Sequence, residues 1–234
     1  MPVSRVQWEA SKRLIPSKYP PIDLFEDIAP PEDWEILAVA ESKTNPRVFD
    51  EIGDLSRLPV AKRVSGAGAS WAIAPFTHVS ADRPTRFSDG SFGIYYCAKD
   101  FETAVAETAY HQTRFLAGTN EEPGWVLTMR ELTAEVNNEF EDVRGAAFAD
   151  YLHPEDYTKA QAFSASLRAQ DANGIVYPSV RHVGGECLAA FWPNVISLPV
   201  QANHWDYHWN GKRIDMIRKS DTAGRGTSQV MRLD

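Results

Sequence analysis

Behind Asn173-Gly174 the chain changes character: IVYPSV, CLAAFW, VISLPV, HWDYHW and KRIDMIR follow one another as short β-prone runs, the last two joined by Asn210-Gly211. An Asn-Gly pair between two such runs supplies the positive φ that a tight hairpin demands. This pattern predicts a mixed or antiparallel sheet built largely from the last third of the chain.

Upstream the patterning is mostly helical. IPSKYPPIDLF reads as a proline-bounded loop, a helix is expected from about Trp34 to Lys43, and Thr44-Asn45-Pro46 opens another, with Asn45 as cap and Pro46 in the first turn. GAGASWAIAPF is glycine-rich, but Gly66-Ala67-Gly68 lacks the third glycine and the strand-to-helix setting of a dinucleotide fingerprint, so a flexible loop is expected there. Phe92 to Ala98 reads as a strand, and Asp100 caps a helix that runs to Gly118. Trp125 to Leu132 reads as another strand, and a helix from about Glu155 to Asp171 stops at Asn173-Gly174. The expected class is α+β, in one domain over residues 1–234. Its N-terminal part, about 1–65, is expected to be helical and packed on the core, and its tail, about 221–234, to be mobile.

A hydrophobic content of 43% in 234 residues is enough for a substantial core, and the 15 prolines are scattered without collecting in a linker. The net charge of -8 has the wrong sign for a surface whose own cations must neutralise phosphates, so no direct nucleic-acid binding is expected. An anionic substrate would have to be met by a few locally placed arginines. No run has the length of a signal peptide's apolar region or of a membrane span, so a soluble, cytoplasmic protein is expected. Cys97 and Cys187 lie in apolar runs without a CxxC pairing and read as buried free thiols.

The chain has no HExxH, no Walker loop, no GxSxG elbow and no Cys/His cluster spaced for zinc, so no metal is expected. His204 and His208 would align on a helix, but the segment reads as a strand, which spaces them too widely. In the helix after Asp100, Phe101, Ala104, Val105, Thr108 and Phe115 form the stripe expected to face the core. Glu107, His111 and Arg114 fall together to one side at spacings of four and three. Taken alone, Glu107 is either a surface residue with a favourable neighbour or an acid at the edge of a site.

Four further positions decide between these. Arg13 in RLIPSKYPPIDLFE, Arg86 before Phe87, Tyr96 before Cys97-Ala98, Glu107 closing FETAVAE and Ser179 in IVYPSVRHVGGECLAAFWP stand in order along most of the chain. In this order and context they resemble the RES-domain toxins, named for Arg, Glu and Ser. FSDGSFGIYY and HWDYHWNG are similar to the longer, ParT-like branch. The chain departs from the shorter members, which carry Gly-Arg-Trp-Asn where Thr85-Arg86-Phe87-Ser88 stands here. Some relatives place tyrosine where Leu14 follows Arg13, which leaves an aromatic contact to Tyr19 or Tyr95 and leaves the roles of Phe87 and Ser88 open.

The resemblance implies an ADP-ribosyltransferase-like fold, a split mixed or antiparallel sheet flanked by helices with an NAD⁺ cleft between them. It implies NAD⁺ as substrate, cleaved at the nicotinamide–ribose bond, with ADP-ribose passed to a target protein. Phosphate or water as acceptor, giving a phosphorylase or glycohydrolase, is the alternative, and a non-catalytic nucleotide- or partner-binding module a second. It further implies a cognate antitoxin with a DNA-binding helix-turn-helix. The chemistry fits the residues: departure of nicotinamide leaves an oxocarbenium-like sugar that a carboxylate stabilises, the role of Glu107. Guanidinium forks suit a diphosphate, the role of Arg13 and Arg86. Tyr96 and Ser179 are expected to hold the nicotinamide or ribose.

Overall fold

The computed structural model describes residues 1–19, 25–26, 28–220 and 230–233. Its first element is a strand, β1 (Val3–Pro16), where a helical N-terminal part was expected. The inward residues of β1 are Val6, Trp8, Ser11 and Leu14, and its register against the next long strand slips between Trp8 and Ser11. That bulge breaks the period of two, and Ser11 satisfies its buried hydroxyl on the Ala134 carbonyl at 2.7 Å. A strand with a polar, phase-shifted inner face carries no clean local signal.

The helical elements of the N-terminal part begin later, with α1 (Trp34–Glu41) and α2 (Val48–Ile52). Asn45 does not cap α2; its Oδ1 accepts from the Arg47 amide at 3.1 Å, one turn ahead of the helix. IPSKYPPIDLF lies partly outside the described residues. The glycine-rich run is not a loop either, because it leads into α3 (Ala69–Thr77), which buries Ala69, Ala72, Ile73 and Phe76. Gly68 precedes that helix at φ +93°, and a Cβ there would stand 2.2 Å from the Pro199 carbonyl oxygen. The glycine admits a close backbone approach.

β2 (Tyr95–Ala98) leads directly into α4 (Phe101–Ala117), whose first turn is capped by Asp100 accepting from the Thr103 amide at 2.8 Å. The stripe was read correctly at Ala104 and Val105, but Phe115 is exposed and Leu116 is the buried residue of the last turn. β3 (Val126–Asp142) is twice the length of the strand expected there, and α5 (Thr158–Ala169) starts three residues later than expected. β4 (Gly174–Pro178), β5 (Glu186–Ala190), β6 (Val200–Trp209) and β7 (Ile214–Lys219) follow, with β6 and β7 joined across Asn210-Gly211. VISLPV supplies only the first residue of β6; Pro193–Val195 forms a short 3-10 turn before it. Of the tail expected to be mobile, 221–229 and 234 lie outside the described residues. Val230–Arg232 pairs with β7 as β8.

The strands form one mixed sheet in the order β1-β2-β5-β4-β3-β6-β7-β8, with β1 also paired to β3. Its two longest strands come from the first two thirds of the chain, contrary to expectation. β3 takes β1 along one side, while its other side pairs with β6 over Val126–Thr133 and with β4, in parallel, at Glu141–Asp142. The sheet therefore splits along that side of β3. The fold is α+β, with helices flanking the split sheet. Cys97 and Cys187 are both buried and unbridged. No helix among the described residues is long and apolar enough to cross a membrane.

Candidate active site

A cavity of about 540 Å³ opens beside α4, in the size range of small-molecule pockets. Its wall follows α4 from Ala104 through Glu107, Thr108 and His111 to Arg114, roughly 15 Å at the rise of an α-helix. Facing it are Lys12, Arg13 and Leu14 of β1, Pro84 to Arg86 ahead of β2, Tyr96 to Ala98 of β2, and Glu155 and Tyr157 before α5. Four cations and two carboxylates line the cavity of a chain whose net charge is -8, so the local charge opposes the global one. This is the local arginine supply that an anionic substrate would demand.

Arg13, Arg86, Tyr96 and Glu107 all border this cavity. Ser179 does not; it stands behind Glu107, and its hydroxyl donates to Glu107 Oε1 at 2.6 Å. The same Ser179 oxygen accepts from the amides of Arg181 at 3.1 Å and His182 at 2.9 Å. The hydroxyl proton is thereby aimed at the carboxylate, which fixes the orientation of that oxygen. The loop carrying Ser179 is clipped to α4 one turn away, where Thr103 Oγ1 meets His182 Nδ1 at 2.8 Å. Gly185 makes this fit possible, since a Cβ there would lie 2.3 Å from Thr103 Oγ1. Cys187 Sγ lies 3.9 Å from the same Glu107 oxygen, and burial together with Glu107 pushes its thiol pKa up. Glu107 Oε2 receives no hydrogen bond from the described residues, so one carboxylate oxygen is anchored and the other is available to the cavity.

The two arginines are held differently. Arg13 donates from Nη1 to the Tyr96 carbonyl at 2.7 Å and lies over the Tyr95 ring at 4.6 Å, and burial lowers its pKa. Arg86 is 9% exposed, donates from Nη1 to the His153 carbonyl at 2.7 Å and lies over the Tyr157 ring at 4.7 Å. Each guanidinium keeps further N–H groups beyond its single carbonyl, which is what a bidentate contact requires.

Tyr96 is a structural clamp as well as a wall. Its hydroxyl shares a hydrogen bond of 2.8 Å with Thr85 Oγ1 and accepts from the Phe87 amide at 3.1 Å, while burial lifts its pKa to about 12. It therefore fixes the loop that carries Arg86. Phe87 and Ser88 do the same from the other side: Phe87 is fully buried edge-on against Tyr177 with ring centroids 5.0 Å apart, and the Ser88 hydroxyl donates to the Phe92 carbonyl at 2.5 Å. Neither residue borders the cavity. Of the two tyrosines weighed as an aromatic contact, Tyr95 supports Arg13 from the core and Tyr19 is exposed.

Sequence reasoning passed over Tyr157, Glu155, Tyr177 and Arg181. Arg181 packs 3.5 Å from the centroid of Tyr110 and donates to the Pro154 carbonyl, so Arg86 and Arg181 hold successive carbonyls of one turn. No local pattern marks that turn, because both of its anchors are distant in sequence. His111 and Arg114 were legible, since they share the helix face of Glu107. Among the described residues no group of three or more His, Cys, Asp or Glu side chains is arranged to hold a metal ion. His204 and His208 both lie in β6, and His208 Nδ1 is 2.7 Å from Asp215 Oδ1 of β7.

Comparison with known proteins places these features in a family. The chain is 32% identical over 215 residues to an uncharacterized protein of Sinorhizobium fredii, covering 91% of this chain and 88% of that one. A crystal structure of the M. tuberculosis MbcT–MbcA toxin–antitoxin complex aligns with 85% of this chain and 86% of its own at 12% identity and a TM-score of 0.42. The model of the RES domain matches residues 60–210, which include Arg86, Tyr96, Glu107 and Ser179, and the chain belongs to the RES domain family.

Proposed function

We propose that this protein cleaves NAD⁺ between nicotinamide and ribose and transfers the ADP-ribose to a target protein, acting as the toxin of a toxin–antitoxin pair. The observation that carries the reading is the Glu107 carboxylate, fixed through Oε1 by Ser179 at 2.6 Å on the wall of a cavity lined by Arg13 and Arg86. Arg13 and Arg86 bind the diphosphate. Glu107 then faces the ribose as the C–N bond lengthens and positive charge grows on the sugar. The nicotinamide leaves with the bonding electron pair and becomes neutral, so the leaving group needs no acid. Ser179 and Cys187 orient the carboxylate, a task different from the ribose or amide contact expected of Ser179.

Protein as acceptor follows the resemblance to the ParT-like branch, as does a DNA-binding antitoxin that silences the enzyme. The test is nicotinamide release from NAD⁺ by the purified chain, followed by labelled NAD⁺ in a cell lysate with and without phosphate. Label on a discrete protein band is expected. Label confined to a phosphate-dependent small molecule would assign phosphorolysis, free ADP-ribose would assign hydrolysis, and intact NAD⁺ under all conditions would leave a non-catalytic binding module.

A further inference from the structure

His111 stands one helical turn beyond Glu107 and lines the same cavity, yet among the described residues its imidazole makes no hydrogen bond. Its one ring contact is edge-on to Tyr110, with centroids 5.3 Å apart. Around it Arg13 and Arg86 are anchored to carbonyls, Tyr96 to Thr85 and Phe87, and Glu107 through Oε1 to Ser179, while Glu155 lines the cavity with its carboxylate unbonded among the described residues. An imidazole with both nitrogens uncommitted, beside the residue that faces the sugar cation, is placed to meet whatever attacks that cation.

We propose that His111 is the general base of the transfer, taking the proton from a neutral O–H or N–H acceptor as it bonds to the ribose C1′. The inference rests on the NAD⁺-cleaving reading and narrows its acceptor to a hydroxyl, an amine or water, in place of an anion that needs no base. The C1′–N bond breaks with its electron pair on nicotinamide, and the acceptor's lone pair forms the new bond at C1′. Its proton passes to the His111 ring nitrogen and from there to solvent.

His111 is exposed on the cavity wall, and charged groups surround it. Loss of hydration lowers the His111 pKa below its usual value; Glu107 opposes this, and Arg181, Arg86 and Arg114 add to it. These groups reach it from α4 itself, from the loop after β4 and from the loop before β2, while Glu155 and Tyr157 face the cavity from the turn before α5. Glu107 alone would not serve both tasks well. A carboxylate that stabilises the cation must stay ionised and close to the sugar, whereas the base must accept a proton from the incoming group.

The test separates bond cleavage from capture in the full-length wild type and in His111→Asn. Exchange of labelled nicotinamide into NAD⁺ reports cleavage and its reversal, and net nicotinamide release in water or in water with methanol reports capture. His111→Asn is expected to lower net release about a hundredfold, within the usual range for a general base, while exchange stays within roughly twofold. Azide, an anionic nucleophile, should restore net release and form the ribosyl azide, which also shows that the variant is folded. In wild type, net release should rise with pH through the lowered His111 pKa and then level; that limb should vanish in His111→Asn. Unchanged net release, equal loss of exchange and release, or failure of azide to rescue would each overturn the assignment. Wild-type protein that leaves NAD⁺ intact would instead overturn the reading on which it rests.

Discussion

At Glu107 one side chain carries two separable tasks, being held and holding. A carboxamide is nearly the same size, so under the proposed function Glu107→Gln should leave α4 and NAD⁺ affinity in place while removing the charge assigned to the sugar cation. Nicotinamide release should fall by about 10² to 10³, the usual loss when one preorganised electrostatic group is removed, against the few tenths of a kcal/mol expected of an exposed helix pair with His111. Steady-state assay of release measures this, and near-normal turnover would return Glu107 to the helix surface. Ser179→Ala tests the holding. A hydrogen bond to a charged group contributes about 1.5 to 3 kcal/mol, so turnover should drop roughly ten- to a hundredfold with KM unchanged. A rise in KM at constant turnover would instead make Ser179 a ligand contact.

Between elements, the loop that presents Arg86 depends on α5, which lies more than seventy residues away in sequence. Gln161 Nε2 donates to the Thr85 carbonyl at 2.8 Å and the Ser88 carbonyl at 3.3 Å, and Ser164 donates to the Phe87 carbonyl. Gln161→Ala should loosen this loop and raise KM for NAD⁺ several-fold with a smaller effect on turnover, because Arg86 is assigned to ground-state binding. Steady-state kinetics over a range of NAD⁺ concentrations checks it, and an unchanged KM would show that Arg86 is placed without α5. α4 and the β6–β7 hairpin were legible because their signals are local. Asp100 reaches only the Thr103 amide, and Asn210-Gly211 needs only its two flanking runs. β1 was not legible, because Ser11 and Arg13 point toward partners on β3 and β2.

Across the whole molecule, Arg144 joins strands that are far apart in the chain. It is 2.6 Å from Asp142 Oδ2 at the end of β3, 3.1 Å from Glu186 of β5 and 3.0 Å from the Ser4 hydroxyl of β1. Hydrogen bonds from Arg144 hold the Asp142 pKa down to about 2. A depressed carboxylate contributes stability that is fully present above its unfolded pKa, near 3.9, and is lost as pH falls toward the folded value. Melting temperature should therefore decline between about pH 4 and pH 2 in wild type, and Asp142→Asn should flatten that decline and lower stability at pH 7. An unaltered acid limb in Asp142→Asn would place the acid sensitivity elsewhere. The amino-acid sequence by itself determined the α+β class, the capped helix bearing Glu107 and the order of the candidate residues, since a helical period, a cap and a turn pair are read within a few positions. Only the tertiary structure decided what those residues do to one another. Glu107 meets Ser179 across 72 positions, Arg86 meets His153 across 67, and Arg13 meets Tyr96 across 83. Such pairs are set by sheet register and by the packing of loops on α4, which depend on all the strands at once and leave no local pattern to read.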